Sequence, residues 1–263
     1  MSAVPVSAVE PAAPRRAGRR VLAVIAWIVA VLALVVVGFL VWAHTLFMGE
    51  RPAALQAWRD DAVQIETVDD GAFVITPADA TGEGLVFLPG ARVDPAAYLW
   101  KLSGVAESTG LTVVVPKVTL NLAFFDTRPI SGYTAYAPDV STWFVGGHSL
   151  GGVRGCQLAA GSDAADAGVT GLILFGSYCA NDLSDSGYTA VTIAGEFDQL
   201  SAVDDIEASA GNLPDDATLV VVDGISHASF GDYGPQPGDG TPTLDSDAAR
   251  DAISEAVATA LGR

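Results

Sequence analysis

The sequence contains few of the residues that build metal and redox centres. Its 263 residues include two cysteines and three histidines, with no C-x-x-C pair and no His/Cys cluster. A zinc site or a thiol relay is therefore unsupported, and we expect neither a metal ion nor an organic cofactor. Cys156 and Cys179 could be bridged if their domain is exported, but two buried free thiols are the favoured interpretation.

Basic residues are also scarce, and they are unevenly distributed. Thirteen lysines and arginines stand against 31 aspartates and glutamates, so the net charge is −18. Four of the cations lie within the first twenty residues, with one acid among them: Arg15, Arg16, Arg19, Arg20 and Glu10. The remainder of the chain then has a net charge of −21. A domain of that charge repels nucleic acid, so DNA and RNA are excluded as partners. We attribute the acidity to solubility or to a salt-rich habitat.

Charged residues are missing altogether from residues 21–43. These 23 residues are apolar on every face, and they are long enough to cross a hydrocarbon core of about 30 Å. The arginines before them predict a cytoplasmic N-terminus and an extracytoplasmic C-terminal domain. A cleaved signal peptide, with Val41-Trp42-Ala43 as its cleavage site, is the alternative. The apolar run exceeds the usual length of a signal peptide's hydrophobic region, so we predict a single-pass membrane anchor.

The rest of the chain predicts one α/β domain. A hairpin signal at Asp69-Asp70-Gly71 comes first, and strands and helices alternate from Leu85 onwards. This alternation predicts a mostly parallel central sheet with helices on both faces. We divide the chain into a disordered cytoplasmic N-terminus (1–20), the transmembrane anchor (21–43), a juxtamembrane segment (44–62) and the folded domain (63–263).

The most informative stretch is Gly146–Gly152, with the sequence GGHSLGG. Strand formers precede it, and residues 153–160 after it are typical of a helix. A G-x-S-x-G between strand and helix indicates a nucleophile elbow, a sharp turn that exposes Ser149 above the sheet. The turn also directs the first N–H groups of the helix into the same space. We expect side chains at Gly147 and Gly151 to collide there. Ser149 is the candidate nucleophile, and a purely structural turn is the alternative.

One histidine is suitably located to act as a base for that serine. His44 lies at the end of the apolar segment, and the side chain of His148 should point to a different side from its neighbour Ser149. His227 follows the predicted strand 218–222, and a base after the last core strand matches the chain order serine, acid, histidine. We therefore predict His227 as the base. A loop histidine that is packed for structural reasons is the alternative.

The third residue of such a triad should be a carboxylate that orients the imidazole. Residues 189–195 form a buried type of strand, and Asp198 follows it closely. Open α/β sheets build their sites just beyond the carboxyl ends of strands, which favours Asp198. The other candidates are Glu196, Asp182 and Asp223.

Five segments carry a resemblance to a known family, and together they cover the chain from about residue 85 to its end. They are Leu88–Tyr98, Leu120–Phe124, the GGHSLGG elbow, Ala194–Asp198 and His227–Gly240, the last being the most specific. The chain resembles the α/β-hydrolase fold-5 group, which is related to dienelactone hydrolases. Ser226 departs from the pattern, since an asparagine often precedes the histidine. Dienelactone hydrolases use a cysteine nucleophile, whereas haloalkane dehalogenases and epoxide hydrolases use an aspartate, so Ser149 argues against those chemistries.

The resemblance also implies where the oxyanion hole and the cleft lie. One N–H should come from Leu150, which follows the nucleophile, and the other from Ala91 on the loop after the third strand. Only a short loop, residues 176–188, occupies the place where α/β-hydrolases usually carry a cap domain. We therefore expect no large cap and an open cleft bordered by residues 231–243.

The implied reaction is hydrolysis of a carboxylic ester or related acyl bond through an acyl-enzyme on Ser149, with a small-molecule or lipid ester as substrate. Two alternatives stay open. One is a non-catalytic, membrane-tethered binding domain, which should have lost a member of the triad Ser149, Asp198 and His227. The other is a lipase for long-chain lipids, against which the missing cap argues.

Overall fold

The computed structural model describes residues 16–263. The predicted disordered N-terminus covers residues 1–20, and its residues 1–15 lie outside the described residues. The contacts divide the described residues into two compact units, with the boundary between Trp42 and Ala43. Helix α1 spans Arg16–Ala43, so it begins before Val21, the predicted start of the membrane anchor. Its residues 18–43 are long and apolar enough to cross a membrane, judged by length and composition.

The second unit is built around an eight-stranded sheet. Its strands are β1 Val63–Thr67, β2 Phe73–Pro77, β3 Glu83–Leu88, β4 Thr112–Val115, β5 Thr142–His148, β6 Val169–Phe175, β7 Thr189–Gly195 and β8 Thr218–Val222. Their order across the sheet is β1-β2-β4-β3-β5-β6-β7-β8. The pairs β1–β2 and β2–β4 are antiparallel, and every pair from β4–β3 to β7–β8 is parallel. The predicted mostly parallel sheet is confirmed.

Helices cover both faces of this sheet. They are α2 Arg51–Ala57, α3 Leu99–Thr109, α4 Ser131–Thr134, α5 Leu150–Ala159, α6 Val203–Ala208 and α7 Ser246–Ala260. Strand β3 shows why both faces need cover. Leu85 and Phe87 pack in the core under α3 and α7, whereas Val86 and Leu88 pack in the core that contains α5 residues. Side chains alternate along a strand, so a strand buried on both sides is a continuous apolar run.

The loops at the carboxyl ends of the parallel strands meet at one edge of the sheet. Residues 89–98 follow β3, Ser149 follows β5, and residues 196–202 follow β7. Residues 176–188, all of them described, connect β6 to β7 without any helix or strand. This short connection leaves the edge without a large cap domain.

The two cysteines form a disulfide, so the prediction of two free thiols was wrong. Cys156 on α5 and Cys179 after β6 are both fully buried, with their Cα atoms 5.5 Å apart. The sequence does not reveal that α5 packs against β6, and this packing brings the two residues together. The bond ties the helix that follows Ser149 to the neighbouring loop. Such bonds persist in oxidising compartments.

Candidate active site

Ser149 occupies a strained turn between β5 and α5. Its backbone has φ 52° and ψ −124°, a conformation that residues with a side chain rarely adopt. A Cβ atom at Gly147 would lie 2.1 Å from the carbonyl oxygen of Leu88, and one at Gly151 would lie 2.0 Å from it. The glycines are therefore needed because the end of β3 presses against the elbow.

Neighbouring backbone and side-chain groups hold this turn in place. The N–H of Ser149 donates to the carbonyl of Phe175, 3.0 Å away. The hydroxyl of Ser177 donates to the carbonyl of Ser149 over 2.7 Å. Strained backbone persists only where the surrounding structure determines it, and β6 with its following loop does so here.

Asp198 and His227 are brought together as a buried pair. Nδ1 of His227 lies 2.8 Å from Oδ2 of Asp198, and both side chains are at most 1% exposed. The other oxygen of Asp198 accepts the N–H groups of Leu200 at 2.9 Å and Ser201 at 2.7 Å. The carboxylate is thus held on both oxygens. It favours the tautomer in which His227 carries its proton on Nδ1 and keeps Nε2 as an acceptor.

The alternative acids have other surroundings. Oε2 of Glu196 accepts the N–H of Gly224 at 2.9 Å. Asp182 is exposed and accepts from Ser184, and Asp223 is exposed. The structure therefore pairs His227 with Asp198 rather than with any of these three.

His148, which we did not predict to act as the base, packs directly against the predicted base, His227. Its ring centroid lies 4.3 Å from that of His227. Its Nδ1 is 2.9 Å from the Tyr98 hydroxyl, which also accepts the N–H of Gly90 at 2.9 Å. Burial raises the pKa of Tyr98, so its hydroxyl stays protonated and can donate a hydrogen bond to Nδ1 of His148. Burial, and then the nearby His227, hold the pKa of His148 well below its usual value. His148 is therefore neutral. A hydrogen bond donated by Tyr98 to Nδ1 would place its proton on Nε2, which is buried and has no hydrogen-bond partner among the described residues.

The predicted oxyanion donors lie at positions where backbone N–H groups are left without an acceptor in the described part of the chain. Leu150 is the first residue of α5, and N–H groups at a helix start have no partner within the helix. On the loop after β3, Gly90 donates to Tyr98 and Arg92 donates to the carbonyl of Asn121. Ala91 lies between them. Within the described part of the chain, the N–H groups of Ala91 and Leu150 have no acceptor.

Asp239 is a site residue that sequence reasoning missed. Its carboxylate accepts the N–H groups of His227 at 3.1 Å, Ala228 at 2.8 Å and Gly240 at 2.8 Å. It thereby fixes the backbone on which the predicted base is carried. The predicted border loop, residues 231–243, contains it, but nothing in that pattern shows that a carboxylate would turn back onto His227.

Gly176 was also missed, although it touches the acid–base pair. Its φ is +48°, and a Cβ there would lie 2.8 Å from Oδ2 of Asp198 and 3.2 Å from Nδ1 of His227. A side chain would therefore displace that pair. The glycine directly after strand β6 was the available signal.

A separate cavity of about 410 Å³ lies behind the loop that bears His227. Ala228 and Ser229 line it, whereas Ser149, Asp198 and His227 do not. It also holds the buried pair Lys101–Asp232, with Nζ and Oδ1 2.5 Å apart. Burial lowers the pKa of Lys101, and the Asp232 carboxylate opposes this shift. The cavity is thus distinct from the surface around Ser149.

Comparisons with known proteins identify the architecture. The model of a family described as the alpha/beta hydrolase family matches residues 84–251. A crystal structure of an esterase is similar with 16% identity and a TM-score of 0.53, over 81% of this chain and 83% of that chain. A hyperthermophilic esterase from the archaeon Pyrobaculum calidifontis has 16% identity and a TM-score of 0.52, over 80% and 90%. Among curated protein sequences, none matches the chain.

Exchanging Asp198 and Glu196 for their amides separates the two candidate acids. We expect Asp198→Asn to lower kcat on a nitrophenyl ester about 10⁴-fold, because the amide would favour the wrong tautomer of His227. Glu196→Gln, the matched control on the same loop, should stay within about threefold, because it touches only Gly224. Near-wild-type activity of Asp198→Asn together with loss in Glu196→Gln would refute this assignment.

Proposed function

Because the chain belongs to the alpha/beta hydrolase family, we propose that it is a serine hydrolase that cleaves a carboxylic ester or related acyl bond. One observation carries the proposal: a buried Asp198–His227 pair packs beside an elbow whose strained residue is Ser149. A fold kept only for binding has no need of this combination, because backbone strain and buried charge both cost stability.

The geometry supports a two-step acyl transfer. In the first step, Nε2 of His227 takes the proton of Ser149 as Oγ attacks the acyl carbon. Asp198 stabilises the resulting imidazolium, which then gives its proton to the leaving alcohol. In the second step, His227 takes a proton from water as the resulting hydroxide adds to the acyl carbon. The bond between that carbon and Oγ of Ser149 then breaks, the carboxylic acid leaves, and His227 returns the proton to Oγ.

Two N–H groups would stabilise the oxyanion that forms in each step. Leu150 at the start of α5 and Ala91 on the loop after β3 are the proposed donors. Backbone donors of this kind need no reorganisation during the reaction, so they favour the charged intermediate over the neutral ester. The fold similarity to solved esterases agrees with an ester as substrate.

Labelling with a fluorophosphonate probe tests the nucleophile. The wild-type protein should be labelled covalently and should hydrolyse nitrophenyl acetate, whereas Ser149→Ala should lose both properties and keep its Tm within a few degrees. Ser177→Ala is the matched control. Its hydroxyl meets only the carbonyl of Ser149, so labelling should persist at a reduced rate. An unlabelled wild-type protein would favour the non-catalytic binding domain.

The proposed substrates have short acyl chains. The short connection at residues 176–188 leaves no large cap to enclose a long chain, and each buried CH₂ contributes only about 0.8 kcal/mol. We expect kcat/KM on nitrophenyl esters to be highest for about two to six acyl carbons and to fall or flatten beyond that length. A profile that rises steadily to twelve or more carbons would instead support a lipase.

We also propose that α1 anchors the enzyme in a membrane with the catalytic unit outside the cytoplasm. The charge-free apolar stretch and the arginines before it support this topology. The Cys156–Cys179 disulfide agrees with an oxidising compartment.

Protease accessibility tests the topology together with the disulfide. Protease added to intact protoplasts should digest the catalytic unit, and alkaline washing should not release it. In denaturant, Cys156 and Cys179 should resist alkylation until they are reduced. A soluble form that begins after Ala43 would support the signal peptide instead. Protection from protease, with both thiols free, would refute the proposed orientation.

A further inference from the structure

Residues 44–50, which we call the strap, lead from α1 to α2 within the second unit. They contact two loops of the candidate site that are distant from them in the sequence. One is the oxyanion loop, residues 89–94. The other is the base loop, residues 226–233.

The strap is bonded to the oxyanion loop through its backbone. The N–H of Phe47 donates to the carbonyl of Arg92 at 2.8 Å, and the N–H of Asp94 donates to the carbonyl of Phe47 at 3.0 Å. Phe47 and Val93 form a parallel bridge through these bonds. The guanidinium of Arg92 also donates twice to the carbonyl of Thr45, at 2.7 and 2.9 Å.

These contacts hold the backbone of Arg92 in a conformation that is unfavourable for a residue with a side chain. Its φ is +60°, in the left-handed region that residues other than glycine seldom adopt. Such a conformation persists only where neighbouring groups enforce it, and the strap supplies several of them. Arg92 directly follows Ala91, so relaxation of its backbone would move the proposed oxyanion donor.

The strap also meets the base loop. The N–H of Glu50 donates to the carbonyl of Asp232 at 2.6 Å. The rings of Phe47 and Tyr233 lie 5.7 Å apart. Gly49 fits tightly against the backbone of Ala97, since a Cβ there would lie 2.9 Å from its nitrogen. One short segment therefore contacts both loops that carry proposed catalytic groups.

We propose that Phe47 is a positioning residue, through which the strap fixes the oxyanion loop relative to the base loop. The inference rests on the proposed esterase function. A displacement of about 1 Å between reacting groups can cost about 10² in rate, so loosening the strap should lower turnover much more than substrate binding. Cleavage after Ala43 would leave residues 44–50 in place, so the inference holds for an anchored and for a processed chain.

Phe47→Ala in the detergent-solubilised full chain is the principal test, and Phe73→Ala is its matched control. Both phenylalanines are half-buried and pack against the same core, but Phe73 lies on β2 and pairs with β1 and β4. We expect Phe47→Ala to lower kcat at least tenfold with KM changed less than threefold. Phe73→Ala should lower Tm as much and keep kcat within twofold, and Phe47→Leu should restore most of the loss. Equal kcat losses in the two alanine variants would overturn the inference.

Hydrogen exchange provides a readout that needs no turnover. In Phe47→Ala, and in Gly49→Val, which would push the strap away from Ala97, peptides covering residues 89–94 and 226–233 should exchange at least tenfold faster. Peptides from β6 should be unchanged. Unchanged exchange in both loops would overturn the inference. If the wild-type protein hydrolyses no ester, the proposed function fails, and exchange alone then decides the role of the strap.

Discussion

The close contact between the elbow and the end of β3 constrains everything around the candidate site. Gly147 and Gly151 approach the carbonyl of Leu88 so closely that a Cβ on either one would lie about 2 Å from that oxygen. This approach lets the loop after β3 reach the residue that follows β5. Ser149 and Leu150 follow β5, whereas Ala91 follows β3, and the two segments lie side by side because these strands pair in parallel.

Around this contact, buried polar groups are held mainly by backbone N–H groups. The buried Asp198 accepts two of them besides His227, and the half-buried Asp239 accepts four, from Gln199, His227, Ala228 and Gly240. Burying the Asp198 carboxylate costs little free energy only because both of its oxygens accept hydrogen bonds, and a satisfied network admits few other arrangements. Backbone hydrogen bonds to Asp198 and Asp239 therefore hold in place the loops that carry the proposed acid and base. Tyr98 joins the oxyanion loop to His148 in the same manner.

The acidic residues of this protein act in two different ways, at its surface and within the candidate site. Most of the 31 acidic residues give the surface its charge, which affects solubility and repels polyanions. Several of them, including Asp126, Asp198, Asp232 and Asp239, instead bind loops within the domain. Net charge thus predicts partners, whereas the location of each carboxylate decides its role.

Local patterns were enough to predict the alternating strands and helices, the elbow at Ser149 and the choice of His227 among three histidines. Asp198 could be selected from its place after a strand, because parallel strands bring their carboxyl ends to one edge. The disulfide, Asp239, the Tyr98–His148 contact and the strap were decided only by the tertiary structure. Each of them joins separate segments of the chain. Asp239 and the strap do so through backbone groups, which every residue carries and no sequence pattern can distinguish.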